Sequence, residues 1–226
     1  MDFEKQSYWH ERFSHEEAFE WLVSSSDFLA VIDPLLPKPP ETVRILQLGF
    51  GTSDLHTHLR RRGYEDVTNV DYEPLAIKRG KDCEERAFGD VRMKYVVADV
   101  TRLEEDAVYD IVIDKSTVDA VSCGGGEAFH LMAEGVRRCL KPGGIWISLS
   151  LSALRFSAGD LPFEVSVFHR FPTPKLKPYD PDIFNFCYLL RPRPASPEER
   201  PVQPSSLVGG DVGIGEIGAV PPSLKT

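Results

Sequence analysis

The sequence predicts a doubly wound α/β protein, with a mostly parallel seven-stranded sheet whose last strand is antiparallel. Three observations carry that expectation. Short apolar runs rich in β-branched residues alternate with helix-compatible stretches between about residues 43 and 151, which implies right-handed crossovers and a parallel sheet. The first run enters a Gly49-Phe50-Gly51 turn followed by a helix. Beyond residue 160 the pattern changes to two strand-like runs, joined by a Pro-rich loop too short for a helical crossover, as an antiparallel pair requires.

Taken in order, the apolar residues Trp9, Phe13, Phe19, Leu22, Phe28, Leu29 and Ile32 recur at roughly helical spacing over 8–36 and predict one or two helices, with Asp27 as a cap inside the run. Pro34, Pro37, Pro39 and Pro40 stop them, because proline lacks the amide donor and clashes with the preceding turn. Strands are expected over 43–48, 67–70, 94–98 and 109–113, with helices over 54–62 and 74–88 between them. A helix over 127–140 should end at Lys141-Pro142-Gly143-Gly144, which joins a terminal cation to a helix breaker and permissive glycines. Strands over 145–151, 163–168 and 184–190 complete the set. The domain plan is therefore an N-terminal helical lid over 1–40, a core over 41–190 and a Pro/Gly-rich tail over 191–226, which contains no aromatic residue and little apolar surface to offset the entropy of ordering.

Composition narrows the function. With 226 residues the chain suits one full-sized core. Its 26 Lys and Arg against 35 Asp and Glu give a net charge of −9, which repels a phosphate backbone and disfavours nucleic acid as a partner. Cys83, Cys123, Cys139 and Cys187 show no C-x-x-C spacing, so reduced thiols and a cytoplasmic location are expected. Residues 1–13 lack the apolar stretch of a signal peptide, and no apolar run is long enough to span a bilayer, so no membrane partner is expected. The six histidines show no helical pairing with carboxylates, and no metal is predicted.

The chemistry is written at the strand ends. Gly49 and Gly51 let backbone approach a ligand where a side chain would block it, although a tight turn alone would also use them. Asp71 ends the next strand about twenty residues on, where a carboxylate accepts hydrogen bonds from ribose hydroxyls. A dinucleotide fingerprint would need a third glycine where this chain has Asp54, so NAD and FAD fit poorly and a nucleoside without phosphates, S-adenosylmethionine, fits better. Asp99 follows the third strand and Asp114 ends the fourth, so Gly49, Asp71, Asp99 and Asp114 are expected to converge on one crevice at the carboxyl ends of the sheet.

These residues, with Leu140-Lys141-Pro142-Gly143-Gly144 and the final antiparallel pair, resemble the class I S-adenosylmethionine-dependent methyltransferases across residues 40–190. A narrower resemblance rests on Tyr8-Trp9-His10-Glu11-Arg12-Phe13 and Asp114-Lys115-Ser116-Thr117-Val118-Asp119-Ala120. Both are similar to the methyltransferase-like proteins that modify lysine on elongation factor 1A or citrate synthase, whose patterns run Y-W-x-x-R-Y and [DE]-K-G-T-x-D-A. Phe50, Thr52 and Ser116 depart from the pattern, Ser116 replacing its usual glycine. The resemblance implies a Rossmann-like methyltransferase fold in which Gly49 and Gly51 face the methionine part of the donor, Asp71 the ribose, and Asp99 with Val100 the adenine, against which Tyr72 lies. It implies that Trp9 and Arg12 belong to a lid, with Arg12 on the donor carboxylate. Trp21 is a candidate for the substrate entrance, and Asp114 is the candidate catalytic and substrate-contacting residue because its strand end lies nearest the transferring methyl. Lys115 and Asp119 read as a structural pair.

Methylation of a protein lysine is the leading expectation. The alternatives are methylation of a small amine, thiol or hydroxyl compound, with the loop over 170–182 as a lid, and a non-catalytic donor-binding protein that offers the P-x-x-P of its tail to a partner. An enclosed apolar pocket would favour the small molecule, and an open acidic groove the protein.

Overall fold

The computed structural model describes residues 2–38, 42–157 and 159–194, and its compact unit runs to Arg193. From residue 195 the expected tail lies outside the described residues.

Two helices, α1 (Gln6–His15) and α2 (Ser25–Ile32), precede the sheet, separated by an irregular stretch over 16–24. The cap of α2 is Ser24 rather than Asp27: the Ser24 hydroxyl accepts from the Asp27 amide, and Asp27 occupies the first turn. Phe28, Leu29 and Ile32 on α2 are fully buried, each contributing about 1.5–3 kcal/mol of apolar burial, so α2 belongs to the core.

The core then alternates β1 (Ile45–Leu48), α3 (Leu55–Arg61), β2 (Val67–Asp71), α4 (Pro74–Phe88), β3 (Lys94–Val97), β4 (Tyr109–Lys115), α5 (Thr117–Ser122), α6 (Gly126–Cys139), β5 (Leu140–Ser150), β6 (Phe163–Pro172) and β7 (Phe184–Pro192). The strand order is β3-β2-β1-β4-β5-β7-β6, parallel through β5 and antiparallel at β7 and β6. It is the expected doubly wound sheet. Helix α4 shows why its bounds were readable: Pro74 fills the first turn, where no amide donor is needed, the Glu73 carboxylate accepts from Leu75 N at 3.2 Å, and Gly89 closes the helix at φ +77°.

Two elements differ from expectation. Pairing in β5 begins at Leu140 instead of after Gly144, because Gly143 turns through φ +81° inside the ladder. Leu140 faces Tyr109 and Ile145 faces Ile111, so five residues of advance on β5 match two on β4, which is a bulge rather than a break. The short helix α5 was not anticipated. It starts at Ser116, a non-glycine residue at φ +72°, a conformation that periodicity does not reveal.

Strand alternation divides the core. Leu46, Leu48, Val112 and Trp146 face α5 and α6, while Ile45, Ile111, Ile113 and Ile147 face α2 and α3. The chain leaves β1 towards β2 and β3 and returns on its other side as β4, so the switch in strand order opens a crevice beyond the carboxyl ends of β1 and β4.

Candidate active site

The crevice is a cavity of about 640 Å³, within the ~300–1,000 Å³ of pockets that enclose a drug-sized ligand. Its floor is the β1–α3 turn. Gly49 and Gly51 both sit at φ +55°, and a Cβ on Gly49 would lie 2.4 Å from the Thr117 side chain. The backbone here is a cradle that only glycine permits. Thr117 completes it by donating its hydroxyl to the carbonyls of Leu48 and Gly49, at 2.8 and 3.1 Å.

Asp71, at the end of β2, lines the cavity and is nearly fully buried. One carboxylate oxygen accepts from Gly51 N at 2.9 Å and the other from Glu73 N at 3.0 Å, which orients it and leaves lone pairs for a diol. Burial pushes its pKa up to about 6 in spite of these amides. Tyr72, Asp99 and Val100 continue the same wall. Asp99 is held by the Thr101 amide and hydroxyl, at 2.9 and 2.7 Å.

The opposite wall comes from the N-terminal segment: Phe3, Trp9, Phe13, Phe19, Trp21 and Leu22. Trp9 donates to the Phe3 carbonyl at 2.7 Å, and its ring meets those of Phe13 and Trp21 at 5.4 and 6.1 Å. The segment is stitched to the glycine turn by polar bonds that the sequence did not advertise. Thr52 donates to Glu16 at 2.8 Å, and Glu20 accepts from Asp54 N at 3.0 Å and pairs with Lys115 at 2.7 Å.

Of the residues singled out from the sequence, Trp9, Trp21, Gly49, Gly51, Asp71, Tyr72, Asp99 and Val100 therefore surround one cavity. Arg12 does not reach it. Its guanidinium pairs with Glu16 at 2.6 Å and stacks 4.8 and 4.7 Å from the Phe19 and Trp21 ring centres, so it stiffens the aromatic wall from behind.

Asp114 is also outside. It is fully buried, accepts from Trp146 Nε1 at 2.8 Å and Val118 N at 3.1 Å, and burial pushes its pKa up to about 7. The reason is parity: Asp114 pairs in register with Leu48 and Ser148, on the sheet face beneath α5, and β4 continues one residue further to Lys115. Asp114 holds α5 on the sheet and is corrected here from a substrate contact to a structural group.

The Lys115–Asp119 pair does not form either. Lys115 donates to the Trp21 and Val23 carbonyls at 2.7 and 3.1 Å and is ion-paired with Glu20 at 2.7 Å. Asp119 accepts from Ser150 Oγ at 2.6 Å, Leu151 N at 3.0 Å and Arg155 Nε at 3.0 Å. Arg155 lines the cavity and was missed, since it follows β5 by five residues in no motif. The loop between β6 and β7, expected as a lid in the small-molecule alternative, contributes nothing to the lining among the described residues; Leu176 and Tyr179 project into solvent.

A seven-stranded sheet of this order, with a glycine cradle and a buried carboxylate at its switch point, defines a class I S-adenosylmethionine-dependent methyltransferase. The chain matches the methyltransferase domain family over residues 46–148, and it belongs to that family together with methyltransferase srdJ of Neurospora crassa, to which it is 53% identical over 199 residues covering 85% of each chain. It is 32% identical over 159 residues to the human eEF1A lysine and N-terminal methyltransferase, matching 67% of this chain but spanning only 22% of that protein. Among solved structures the N-methyltransferase NodS of Bradyrhizobium japonicum, in complex with S-adenosylhomocysteine, superimposes with a TM-score of 0.59 at 11% identity, covering 83% of this chain and 99% of NodS. That likeness shows the fold.

Proposed function

We propose that this methyltransferase acts on a small molecule held inside the cavity, rather than on a protein side chain at its surface. The observation that carries the reading is the aromatic wall, with Trp9, Phe19 and Trp21 lining the same half-open, largely apolar space as the glycine turn, Asp71 and Asp99. An apolar cavity with a few fixed polar groups is how small ligands are recognised.

In this reading Gly49 and Gly51 receive the methionine end of the donor, Asp71 the ribose hydroxyls, and Asp99, Val100 and Tyr72 the adenine. The donor supplies an already activated methyl on a sulfonium, so no enzyme nucleophile is required. What this chain contributes is position and dryness: the glycine cradle and Asp71 fix one reactant, the aromatic segment over 3–22 excludes water, and both shorten the path of an in-line displacement. Asp119, the carboxylate on the wall built by α5 and β5, already accepts from Arg155, Ser150 and Leu151, with the Ser116 hydroxyl a further 3.4 Å contact, which makes it a poor base for stripping a proton from a lysine ammonium whose ordinary pKa is about 10.4.

A second reading, methylation of a protein lysine, is favoured by the 32% identity to the human eEF1A methyltransferase and by the Asp114–Ala120 motif. Transfer of labelled methyl into a cell extract separated into protein and small-molecule fractions distinguishes the two, with Asp71→Ala as control. Label in the small-molecule fraction, lost in the control, is expected. A discrete labelled protein band would give the lysine reading the lead.

A further inference from the structure

Two cationic side chains line the cavity, Lys115 and Arg155, and only one of them has a hydrogen-bonding edge to spare. The Lys115 ammonium donates to two carbonyls and is ion-paired with Glu20, and the side chain is 5% exposed. Arg155 differs. Its Nε and Nη2 converge on Oδ1 of Asp119, at 3.0 and 2.8 Å, and its Nη1 edge has no partner among the described residues.

The fork is also held in place. Asp119 is nearly buried and is itself fixed by the Ser150 hydroxyl and the Leu151 amide. Tyr188 donates to the Ser152 carbonyl at 2.6 Å and Phe156 is buried against Trp146, so the short segment that carries Arg155 is anchored on both sides. A planar guanidinium locked by one carboxylate, on a side chain that lines the cavity and keeps its Nη1 edge without a partner among the described residues, is a preorganised donor for an oxygen.

We infer that Arg155 is the acceptor-binding residue, and that the acceptor is a compact, largely apolar molecule carrying a carboxylate, phenolate or carbonyl oxygen that the Nη1 edge grips while its body lies against the Trp9–Trp21 wall. This rests on the small-molecule reading and adds its substrate class. Asp119 offsets most of the guanidinium charge, so the site selects oxygen as a hydrogen-bond acceptor and rejects an ammonium, which would face the three remaining N–H donors and no acceptor on Arg155.

The test uses the full chain saturated with S-adenosylhomocysteine and three probes of one size: benzoate, benzamide and benzylamine. Binding is followed by saturation-transfer NMR and by tryptophan fluorescence. Benzoate and benzamide are expected to bind at least tenfold more tightly than benzylamine. Arg155→Gln should weaken benzoate at least tenfold while leaving the affinity for S-adenosylhomocysteine within twofold, and Arg155→Lys should fall between. The lysine variant keeps a cation beside Asp119 and carries the comparison where the glutamine variant fails to hold S-adenosylhomocysteine. Benzylamine binding as well as benzoate, no benzoate binding to the wild-type protein, or benzoate binding that ignores both substitutions would each overturn the assignment. Methyl label in the small-molecule fraction at equal rates with wild type and Arg155→Gln would overturn it while the small-molecule reading stands, and label confined to protein would remove both.

Discussion

At Asp71 two physical demands collide: the proposed ribose contact calls for an ionised carboxylate, and burial favours its neutral form. With the pKa pushed up to about 6, an ionised carboxylate has to be generated before it can accept from both hydroxyls. Donor affinity is therefore expected to be flat above about pH 7 and to weaken several-fold towards pH 5, up to the tenfold-per-unit limit of a single proton. Titration calorimetry with S-adenosylhomocysteine checks this. Asp71→Asn should bind weakly with no such pH dependence, and a wild-type affinity unchanged from pH 5 to 8 would dismiss the linkage. Ser116 is the converse case, a residue the fold strains. At φ +72° it occupies the left-handed region, which costs a non-glycine residue roughly 1–2 kcal/mol, at the position where the resembling motif has glycine. Ser116→Gly should stabilise the protein by about 0.5–1 kcal/mol, since glycine's greater entropy in the unfolded chain returns part of the strain; an unchanged or lower melting temperature would show that the Ser116–Asp119 contact at 3.4 Å outweighs it.

Between elements, the decisive contact is a lysine at a strand end holding an irregular segment. Leu22 is at φ +67°, and the carbonyls around it are tied to other elements: Lys115 donates to those of Trp21 and Val23, the former also accepting from Val23 N at 2.8 Å, and Asn185 Nδ2 donates to that of Leu22 at 3.2 Å. Burial lowers the Lys115 pKa and Glu20 pulls it back, so the ammonium stays useful as a clasp between β4 and the aromatic wall. Lys115→Met takes the cation from Glu20 and the donor from the Val23 carbonyl, which should cost about 1–3 kcal/mol. Chymotryptic cleavage near Phe19 and Trp21 is expected to quicken about tenfold, with a loss of donor affinity; unchanged cleavage would mean that the aromatic contacts alone hold the segment. This is also where the sequence was legible only in part. Apolar periodicity located every strand and the helices α1 to α4 and α6, and Asp71 and Asp99 at the strand ends marked one wall of the cavity, because both follow from spacing along the chain. Side-chain direction at the end of β4 depends on one residue of register, which put Asp114 on the wrong face. The Arg155–Asp119 and Lys115–Glu20 pairs join residues 36 and 95 positions apart, and nothing in local pattern predicts such partners.

For the molecule as a whole, acid stability turns on His56. It lies on α3 with 1% of its surface exposed, its ring against Phe50 and Tyr95 at 5.9 and 5.8 Å, and neither ring nitrogen has a hydrogen-bond partner among the described residues. Burial lowers its pKa to about 4, although Glu84 and Asp54 pull in the opposite direction. The folded protein therefore refuses a proton that the unfolded chain accepts near its ordinary pKa of about 6.5. The stability that depends on a neutral His56 is complete above about pH 6.5 and is lost as the pH falls towards 4, amounting to roughly 2–3 kcal/mol between pH 7 and pH 4.5. Asp71 and Asp114 have the opposite sign: their folded pKa values are raised, to about 6 and about 7, so they favour the folded state at low pH and cease to do so as the pH rises through those values. A melting curve of the wild type alone sums the opposed contributions. The difference between His56→Leu and wild type cancels the acids and isolates the histidine. That difference should move in favour of the variant by roughly 2–3 kcal/mol on going from pH 7 to pH 4.5, measured by urea denaturation at each pH. A difference independent of pH would mean that His56 accepts its proton in place, and that the contact between α3 and the glycine turn through Phe50 opens to water while the rest of the fold stays closed.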